Sequence, residues 1–343
     1  MPRPDQDTLI IAISATVLFD LAEQDEAFQK AVKVDRDEAI RAYKASMRSK
    51  EDEPLKPGSA MPLVKAFLAL NQAERFGEGA DASNAEERPE GASTRGPSPL
   101  VEIIVVSQNS PETGLRVLNA IEAHGLPITR SAFLAGDPVA PVLKAFGADL
   151  FLSRNEAQVQ AVVDQNICAA ALLVGAPLDA YVPDERLRLA FDGDAVLFSE
   201  DSELHFKTSG LESFQQREVA LAATPMDDGP FTNFLRKLGR MQARITPAIE
   251  YAPIRIALVT ARSAPSHLRV IHTLRSWGVY IDEAYFLGGM DKTPILKAIR
   301  PHLFFDDQTM HIAKAAQDVP SAHVLYATNS PLRQLQSKPE HSG

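Results

Sequence analysis

The chain has 343 residues, 45% of them hydrophobic and 23% charged, which is the balance of a soluble globular protein long enough for two domains. A formal net charge of −10 argues against a nucleic-acid-binding surface, because the phosphate backbone repels such a field. No apolar run approaches the ~18 residues of a membrane span. The apolar segment 9–19 lacks a basic leader and a clear cleavage site, so we interpret it as a strand. These features favour a cytoplasmic protein that does not bind membranes.

The N-terminal part contains one compositionally unusual stretch. Residues 75–99 are polar and rich in Gly, Pro and Ser, and we predict that they form a disordered insertion. The residues from 331 to 343 have a similar composition and are predicted to form a flexible tail.

The chain contains an internal repeat. Residues 103–110 resemble residues 256–263, and adding 153 to a residue number aligns the two segments without a gap as far as Asn155 and Gln308. We therefore predict two homologous halves, 1–175 and 185–330. Strands and helices alternate in each half, which indicates an α/β doubly wound fold built from two parallel-sheet halves.

The strands of the second half are predicted from their continuous apolar character, which is typical of parallel sheets covered on both faces. They are residues 189–191, 254–259, 284–287, 303–305 and 323–326. Ser263 or Ser266 can cap one intervening helix, and Thr293 with Pro294 begins another.

Two carboxylates follow the first of these strands in the sequence Phe-Asp-Gly-Asp. Asp192 and Asp194 would project into the crevice at the carboxyl end of an open sheet, where ligands usually bind. A solvated turn or a helix cap is an equally good interpretation of this motif alone.

A second acidic pair, Asp306 and Asp307, ends a later strand. Carboxylates from two strand ends can converge on Mg²⁺, which prefers oxygen ligands. The alternative is that they repel each other on a solvated surface.

Thr260 ends a third strand, where its hydroxyl can donate to a phosphoryl oxygen or cap a helix. Lys292 precedes a helix and can lie beside a phosphoryl group, although a lysine taken alone is more often on the surface.

The ordered set Asp-x-Asp, Thr, Lys and Asp-Asp resembles the haloacid-dehalogenase superfamily. A closer resemblance is to the cytosolic 5′-nucleotidase type I family, and it extends over nearly the whole chain. The segments that carry it are residues 57–67, 191–199, 258–264, 274–278 and 300–308. The segment 13–19 departs from the family pattern, with Ala15 and Thr16 where Ser and Arg are expected.

The resemblance implies a Mg²⁺-dependent 5′-nucleotidase that hydrolyses nucleoside 5′-monophosphates such as AMP. It implies that Asp192 attacks phosphorus to form an aspartyl-phosphate and that Asp194 is the general acid and base. Thr260 and Lys292 complete the phosphoryl site. The implied Mg²⁺ ligands are Asp192, the backbone carbonyl of Asp194 and one or both of Asp306 and Asp307.

The region 200–250 is expected to form a small cap over this site. Lys207, Phe231 and Arg262 are candidate substrate contacts, but Phe231 can instead pack the cap and Arg262 can pair with a cap carboxylate.

Two other functions are compatible with the motifs. One is a phosphatase for another small phosphomonoester, and the other is a catalytically silent nucleotide-binding regulator. Self-association into a homo-oligomer is left open.

The first half lacks the corresponding chemical groups. The repeat places Ile13 opposite Asp192, Ala15 opposite Asp194 and Val139 opposite Lys292, and it places Ser153 and Arg154 opposite the Asp306–Asp307 pair. Only Ser107, opposite Thr260, keeps a hydroxyl. We therefore predict one catalytic site per chain, with a degenerate first half.

Overall fold

The computed structural model describes residues 7–77, 98–175, 183–184, 186–245 and 252–336. The strands in these ranges are β1 Leu9–Ile13, β2 Val101–Ser107, β3 Arg130–Phe133, β4 Leu150–Ser153, β5 Ala169–Val174, β6 Leu187–Phe191, β7 Ile254–Thr260, β8 Glu283–Phe286, β9 Leu303–Asp306 and β10 Ser321–His323. The helices are α1 Ala15–Leu18, α2 Ala22–Val32, α3 Arg36–Ser49, α4 Met61–Gly77, α5 Pro111–Ala123, α6 Ala140–Phe146, α7 Glu156–Asp164, α8 Asp201–Ala220, α9 Thr232–Ile245, α10 His267–Ser276, α11 Thr293–Ile299, α12 Thr309–Ala315 and α13 Pro331–Gln336.

The ten described strands form one sheet in the order β3-β2-β1-β4-β5-β10-β9-β6-β7-β8. Read from the outer strand of each half inward, the orders are β3-β2-β1-β4-β5 and β8-β7-β6-β9-β10. The strands of the two halves therefore follow the same order. Neighbouring strands are parallel except at the junction of β5 with β10, which is antiparallel. The α/β class predicted from the sequence is confirmed. Because the junction is antiparallel, the carboxyl ends of the two sets of strands lie at opposite edges of the sheet.

The central strands such as β1 and β5 form where the chain is continuously apolar, because both faces of the sheet are covered by helices there. The edge strands β3 and β8 contain polar residues and are less buried. Alternate residues of β1 belong to different clusters: Leu9, Ile11 and Ile13 face a core that also contains residues of β6, whereas Ile10 and Ala12 face a core made of first-half residues and Leu325. A third cluster covers the opposite face of the second half. One hydrophobic core thus extends along the whole sheet and ties the two halves together.

Turn geometry recurs between the halves. The Gly58 amide donates to the Leu18 carbonyl at 2.8 Å, and the Gly229 amide donates to the Leu197 carbonyl at 3.1 Å. Each glycine lies beside a short antiparallel bridge, Phe19 with Pro57 and Phe198 with Asp228. The two halves therefore share this glycine turn, although the segments before it differ: residues 15–18 are helical, whereas Asp194 is extended and Ala195 has a φ of +59°.

Three sequence-based predictions differ clearly from the structure. The first strand ends at Ile13, and residues 15–18 of the predicted strand 9–19 form helix α1. The last strand is Ser321–His323 and not 323–326, because residues 324–326 leave the sheet after β10. The prediction of a flexible tail is wrong for residues 331–336, which form α13 with Leu332 fully buried. The predicted insertion 75–99 lies mainly outside the described residues, as do residues 337–343.

The predicted cap at 200–250 divides into two parts. Helix α8 is broken at Gly210, where φ is +79°, a conformation that glycine adopts without strain. Helix α9 instead places Phe234, Leu235 and Leu238 in the core against the sheet. A cap is therefore compatible with α8 but not with α9, whose apolar face is already buried.

Within the described ranges, the helices are all too short or too polar to cross a bilayer.

Candidate active site

The site lies at the carboxyl ends of β6 and β9, which are parallel neighbours. Phe191 is paired with Phe305, and the Asp192 amide donates to the Phe305 carbonyl at 2.8 Å. Asp192 and Asp306 therefore emerge side by side where their strands end. Both side chains are buried, with Asp192 4% and Asp306 0% exposed. The solvated-surface interpretation of the two acidic motifs is wrong.

Lys292 lies between these two carboxylates. Its Nζ is 2.9 Å from Asp192 Oδ1 and 2.7 Å from Asp306 Oδ2. The residue immediately precedes α11 and is only 2% exposed, so the surface interpretation does not apply to it. A buried cation that bridges two carboxylates offsets part of their mutual repulsion.

The charged groups of this cluster shift one another's pKa values. Burial raises the pKa of Asp192 to about 7, against the opposing effect of Lys292, and the charge of Asp306 adds to the rise. Burial also opposes the ionisation of Asp306, but Lys292 and His311 hold the pKa of Asp306 below its usual value. The two carboxylates raise the pKa of Lys292 despite its burial. Perturbed pKa values of this kind are typical of functional sites.

Asp307 adds a third buried carboxylate. Its Oδ2 accepts a hydrogen bond from the Tyr326 hydroxyl, whereas its Oδ1 is buried and has no hydrogen-bond partner among the described residues. Burial, followed by the charges of Asp306 and Asp192, raises the pKa of Asp307 well above its usual value. An unpartnered buried carboxylate oxygen is costly unless a cation satisfies it.

The donor set fits a divalent metal ion. Ligand atoms of Asp192, Asp306 and His311 all lie within 4.8 Å of one another, and the unpartnered Oδ1 of Asp307 belongs to the residue after Asp306. Three buried carboxylates against one lysine leave an excess of negative charge, which a hard cation such as Mg²⁺ can neutralise. His311, whose Nδ1 is 3.2 Å from Asp306 Oδ2, was not among the residues predicted from the sequence.

Thr260 ends β7 on the far side of β6. It is buried, and its Oγ1 accepts a hydrogen bond of 3.3 Å from the Arg262 amide. A Cβ added to Gly193 would be 3.4 Å from this Oγ1, so the hydroxyl lies against the loop that carries Asp192. The predicted catalytic groups Asp192, Thr260 and Lys292 thus come together around one loop.

Asp194 is held by Arg262. The guanidinium donates from Nε to Asp194 Oδ2 at 2.8 Å and from a second nitrogen to Oδ1 at 2.6 Å. Arg262 also donates to Glu218 of helix α8 at 2.5 Å, and Glu218 is paired with Arg269 at 2.9 Å. Arg262 therefore pairs with a cap carboxylate, the alternative left open by the sequence, and its buried side chain is not free to bind a substrate.

The two other predicted substrate contacts have different environments. Phe231 is fully buried and packs against Phe191 and Phe305, so the structure contradicts its prediction as a substrate contact. Lys207 forms an ion pair of 3.1 Å with Glu203 on α8. Because Glu203 also accepts a hydrogen bond from Gln308, Lys207 lies close to the acidic loop.

Sequence analysis missed Glu218, Tyr326 and His311. Glu218 and Tyr326 act through contacts between distant segments, and no local motif marks either residue. His311 follows Asp307 by four residues at the start of α12, and this spacing was a usable signal.

The chain matches a family model described as 5′-nucleotidase over residues 1–331. The chain belongs to the 5′-nucleotidase family. It is 36% identical over 317 residues to human cytosolic 5′-nucleotidase 1B, an alignment that covers 92% of this chain and 48% of the relative. The chain thus spans about half the length of that relative. Both descriptions denote phosphoric monoester hydrolases, the enzyme class predicted from the sequence. No solved structure matches the chain.

Proposed function

We propose that the protein is a Mg²⁺-dependent 5′-nucleotidase that hydrolyses nucleoside 5′-monophosphates such as AMP. The observation that carries the proposal is the buried cluster of Asp192, Lys292, Asp306 and Asp307 at two adjacent strand ends. Family membership and the name of the human relative support the reaction class. The word cytosolic in that name supports a cytoplasmic location for this chain.

Asp192 is the proposed nucleophile. Its carboxylate attacks phosphorus, the bond from phosphorus to the ribose oxygen breaks, and the electron pair leaves with that oxygen. Water then attacks phosphorus, the bond from phosphorus to the Asp192 oxygen breaks, and inorganic phosphate and the Asp192 carboxylate are released. Lys292 contributes by favouring the ionised form of Asp192, against the pKa rise that burial causes.

Asp194 is the proposed general acid and base. It donates a proton to the leaving ribose oxygen and later accepts one from the attacking water. Both of its carboxylate oxygens accept hydrogen bonds from Arg262, and each oxygen has a second lone pair that can carry the transferred proton. Arg262 thereby orients Asp194 and couples it to Glu218 of α8.

Mg²⁺ would be held by Asp192, Asp306, Asp307 and the backbone carbonyl of Asp194, as the family resemblance implies. When bound, it would offset the negative charge of the phosphoryl group. The unpartnered Oδ1 of Asp307 supports this assignment from the structure.

The two halves are proposed to descend from one duplicated haloacid-dehalogenase-like unit. The repeated strand order and the matching Gly58 and Gly229 turns support this origin. In the first half, Ile13 and Val139 occupy the positions of Asp192 and Lys292 and are buried in apolar clusters. We propose a single catalytic site per chain.

Phosphate release with Mg²⁺, measured over a panel of phosphomonoesters, tests this function. We expect nucleoside 5′-monophosphates to have a higher kcat/KM than sugar phosphates. Activity confined to sugar phosphates would contradict the proposed substrate class but would leave the assignment as a phosphatase intact. Nucleotide binding without phosphate release from any member of the panel would indicate a silent regulator.

A further inference from the structure

The segment that follows β10 connects the two halves of the molecule to the acidic cluster. We call residues 324–333 the C-terminal strap. Val324 packs in the core cluster shared by both halves, whereas Leu325 packs in the cluster of the first half. The next residue, Tyr326, turns back towards the second half and donates its hydroxyl to Asp307 Oδ2. Three consecutive residues thus contact three different parts of the fold.

Helix α7 of the first half holds the strap in place. Asp164 accepts hydrogen bonds from both the amide and the hydroxyl of Thr328, each at 2.7 Å. Gln160 donates to the Tyr326 carbonyl at 3.0 Å and to Asp164 at 2.9 Å. Arg333 of the strap also donates to the Tyr326 carbonyl, at 3.3 Å. The backbone of Tyr326 is therefore fixed from the first half and from the strap itself.

The hydroxyl of Tyr326 determines how Asp307 is presented. By donating to Oδ2, it leaves Oδ1 as the oxygen of Asp307 without a partner. The backbone carbonyl of Asp307 lies 2.9 Å from His323 Nε2, so the main chain at this residue is also fixed. Such contacts to a metal-binding carboxylate restrict its rotation and pre-organise it for the cation.

We propose that Tyr326 is a positioning residue that orients Asp307 towards Mg²⁺, and that the first half supports the site by anchoring Tyr326 through α7. This inference rests on the proposed Mg²⁺ site. On this proposal, the first half contributes no catalytic group but supports the segment that contacts Asp307.

Mg²⁺ binding measured by isothermal titration calorimetry tests the inference without turnover. Tyr326→Phe removes only the hydroxyl, and we expect Mg²⁺ affinity to fall about 10–100-fold, as is typical when a partner of a metal ligand is lost. Tyr280→Phe is the matched control, because Tyr280 is 53% exposed, and it should bind Mg²⁺ as the wild type does. A urea unfolding curve of each metal-free variant checks that the fold is retained.

Two further variants separate positioning from general stability. In an Asp307→Asn background, Tyr326→Phe should cause little additional loss of affinity, because the hydroxyl acts through that carboxylate. Asp164→Ala, remote from the cluster, should lower Mg²⁺ affinity about two- to threefold by loosening the strap, whereas the exposed Asp137→Ala should not. The Asp164 comparison applies even if Tyr326→Phe fails to fold.

The outcomes distinguish the two proposals. If the wild type binds no Mg²⁺, the proposed metal site is wrong and the role of Tyr326 falls with it. If the wild type binds Mg²⁺ and both Tyr326→Phe and Asp164→Ala bind it equally well, the metal site stands and the positioning role is overturned.

Discussion

At the scale of single residues, the account depends on charges that are buried together. Lys292 is held by Asp192 and Asp306, and Arg262 is held by Asp194 and Glu218. Buried ion pairs of this kind contribute little net stability, because desolvation opposes the attraction. Their geometry is better explained by the proposed chemistry, in which Asp192 is the nucleophile beside a lysine and Asp194 the acid–base group beside an arginine.

Asp194→Asn tests the acid–base role. With nucleoside monophosphates, kcat should fall about 10²–10⁴-fold, because the ribose oxygen leaves poorly without a proton. With an aryl phosphate the first transfer should slow much less, since that leaving group needs little protonation, whereas hydrolysis of the aspartyl-phosphate should slow for both substrates. The rate of leaving-group release in a single turnover provides the comparison between the two substrates. Equal losses in this first step would show that Asp194 has a structural role.

Arg262→Gln distinguishes the orientation of Asp194 from substrate binding. If Arg262 acts through Asp194, kcat should fall while KM changes little. Stability should also decrease by about 1–3 kcal/mol, because buried hydrogen bonds to charged groups are lost. Arg41→Gln is the control, since its exposed pair with Glu38 should contribute less than about 1 kcal/mol. A raised KM with unchanged kcat would instead identify Arg262 as a substrate contact.

At the scale of elements, the turns after β1 and β6 allow close backbone contact that only glycine permits. A Cβ at Gly229 would lie 2.4 Å from the Phe198 carbonyl oxygen, and one at Gly58 would lie 2.6 Å from the Val17 carbonyl oxygen. Both contacts are to backbone, which cannot move aside as a flexible side chain can. The turn at Gly58 leads into α4 and the turn at Gly229 leads into α9.

Gly229→Ala should therefore destabilise the protein by about 1–3 kcal/mol or more through overpacking. Gly239→Ala is the matched control, because its Cβ would meet only Val279 Cγ1 at 3.7 Å, an ordinary contact. Inside helix α9 that change should be neutral or stabilising by up to about 1 kcal/mol. Urea unfolding of the two variants provides the comparison, and equal stabilities would contradict the proposed clash.

His302 connects the start of β9 to β6. It is buried, and its Nδ1 accepts a hydrogen bond of 3.2 Å from the Arg188 amide, a contact that requires the neutral imidazole. Burial lowers the pKa of His302 from 6.5 to about 4, with Arg188 adding to the shift and Asp184 opposing it. As the pH falls below 6.5, the unfolded chain takes up this proton before the folded one does, so stability is lost.

The predicted loss from His302 is about 2 kcal/mol between pH 7 and pH 5. His302→Asn keeps an acceptor for the Arg188 amide but cannot be protonated in this range. Its unfolding free energy should therefore fall less steeply over the same interval than that of the wild type. Urea titrations at several pH values measure both slopes, and parallel slopes would contradict the shifted pKa.

Sequence analysis located the site more accurately than its surroundings. Asp192, Thr260 and Asp306 were predictable because each ends an apolar strand, and the ends of neighbouring parallel strands meet at one edge. Phe231 was misassigned because a buried aromatic and a substrate-binding aromatic leave the same local pattern. Tyr326 was missed because its contact with Asp307 depends on where the strap crosses the sheet.

At the scale of the whole molecule, one continuous sheet joins two halves with the same strand order and opposite direction. The antiparallel contact of β5 with β10 places the carboxyl edge of the first half away from the acidic cluster. In the described part of the chain, the C-terminal strap is a segment through which the first half is connected to the acidic cluster. This arrangement is consistent with the proposal of a single catalytic centre supported by both halves.

The measurement that tests this account most directly is acid-quench labelling with a ³²P-labelled aryl phosphate and Mg²⁺. The Asp194→Asn variant is suited to it, because slow hydrolysis should let the aspartyl-phosphate accumulate. We predict labelling of Asp192, identified by peptide mapping, at no more than one equivalent per chain, and no label when Asp192→Asn is added. Continued phosphate release without any labelled protein, or a label on a residue of the first half, would contradict the account.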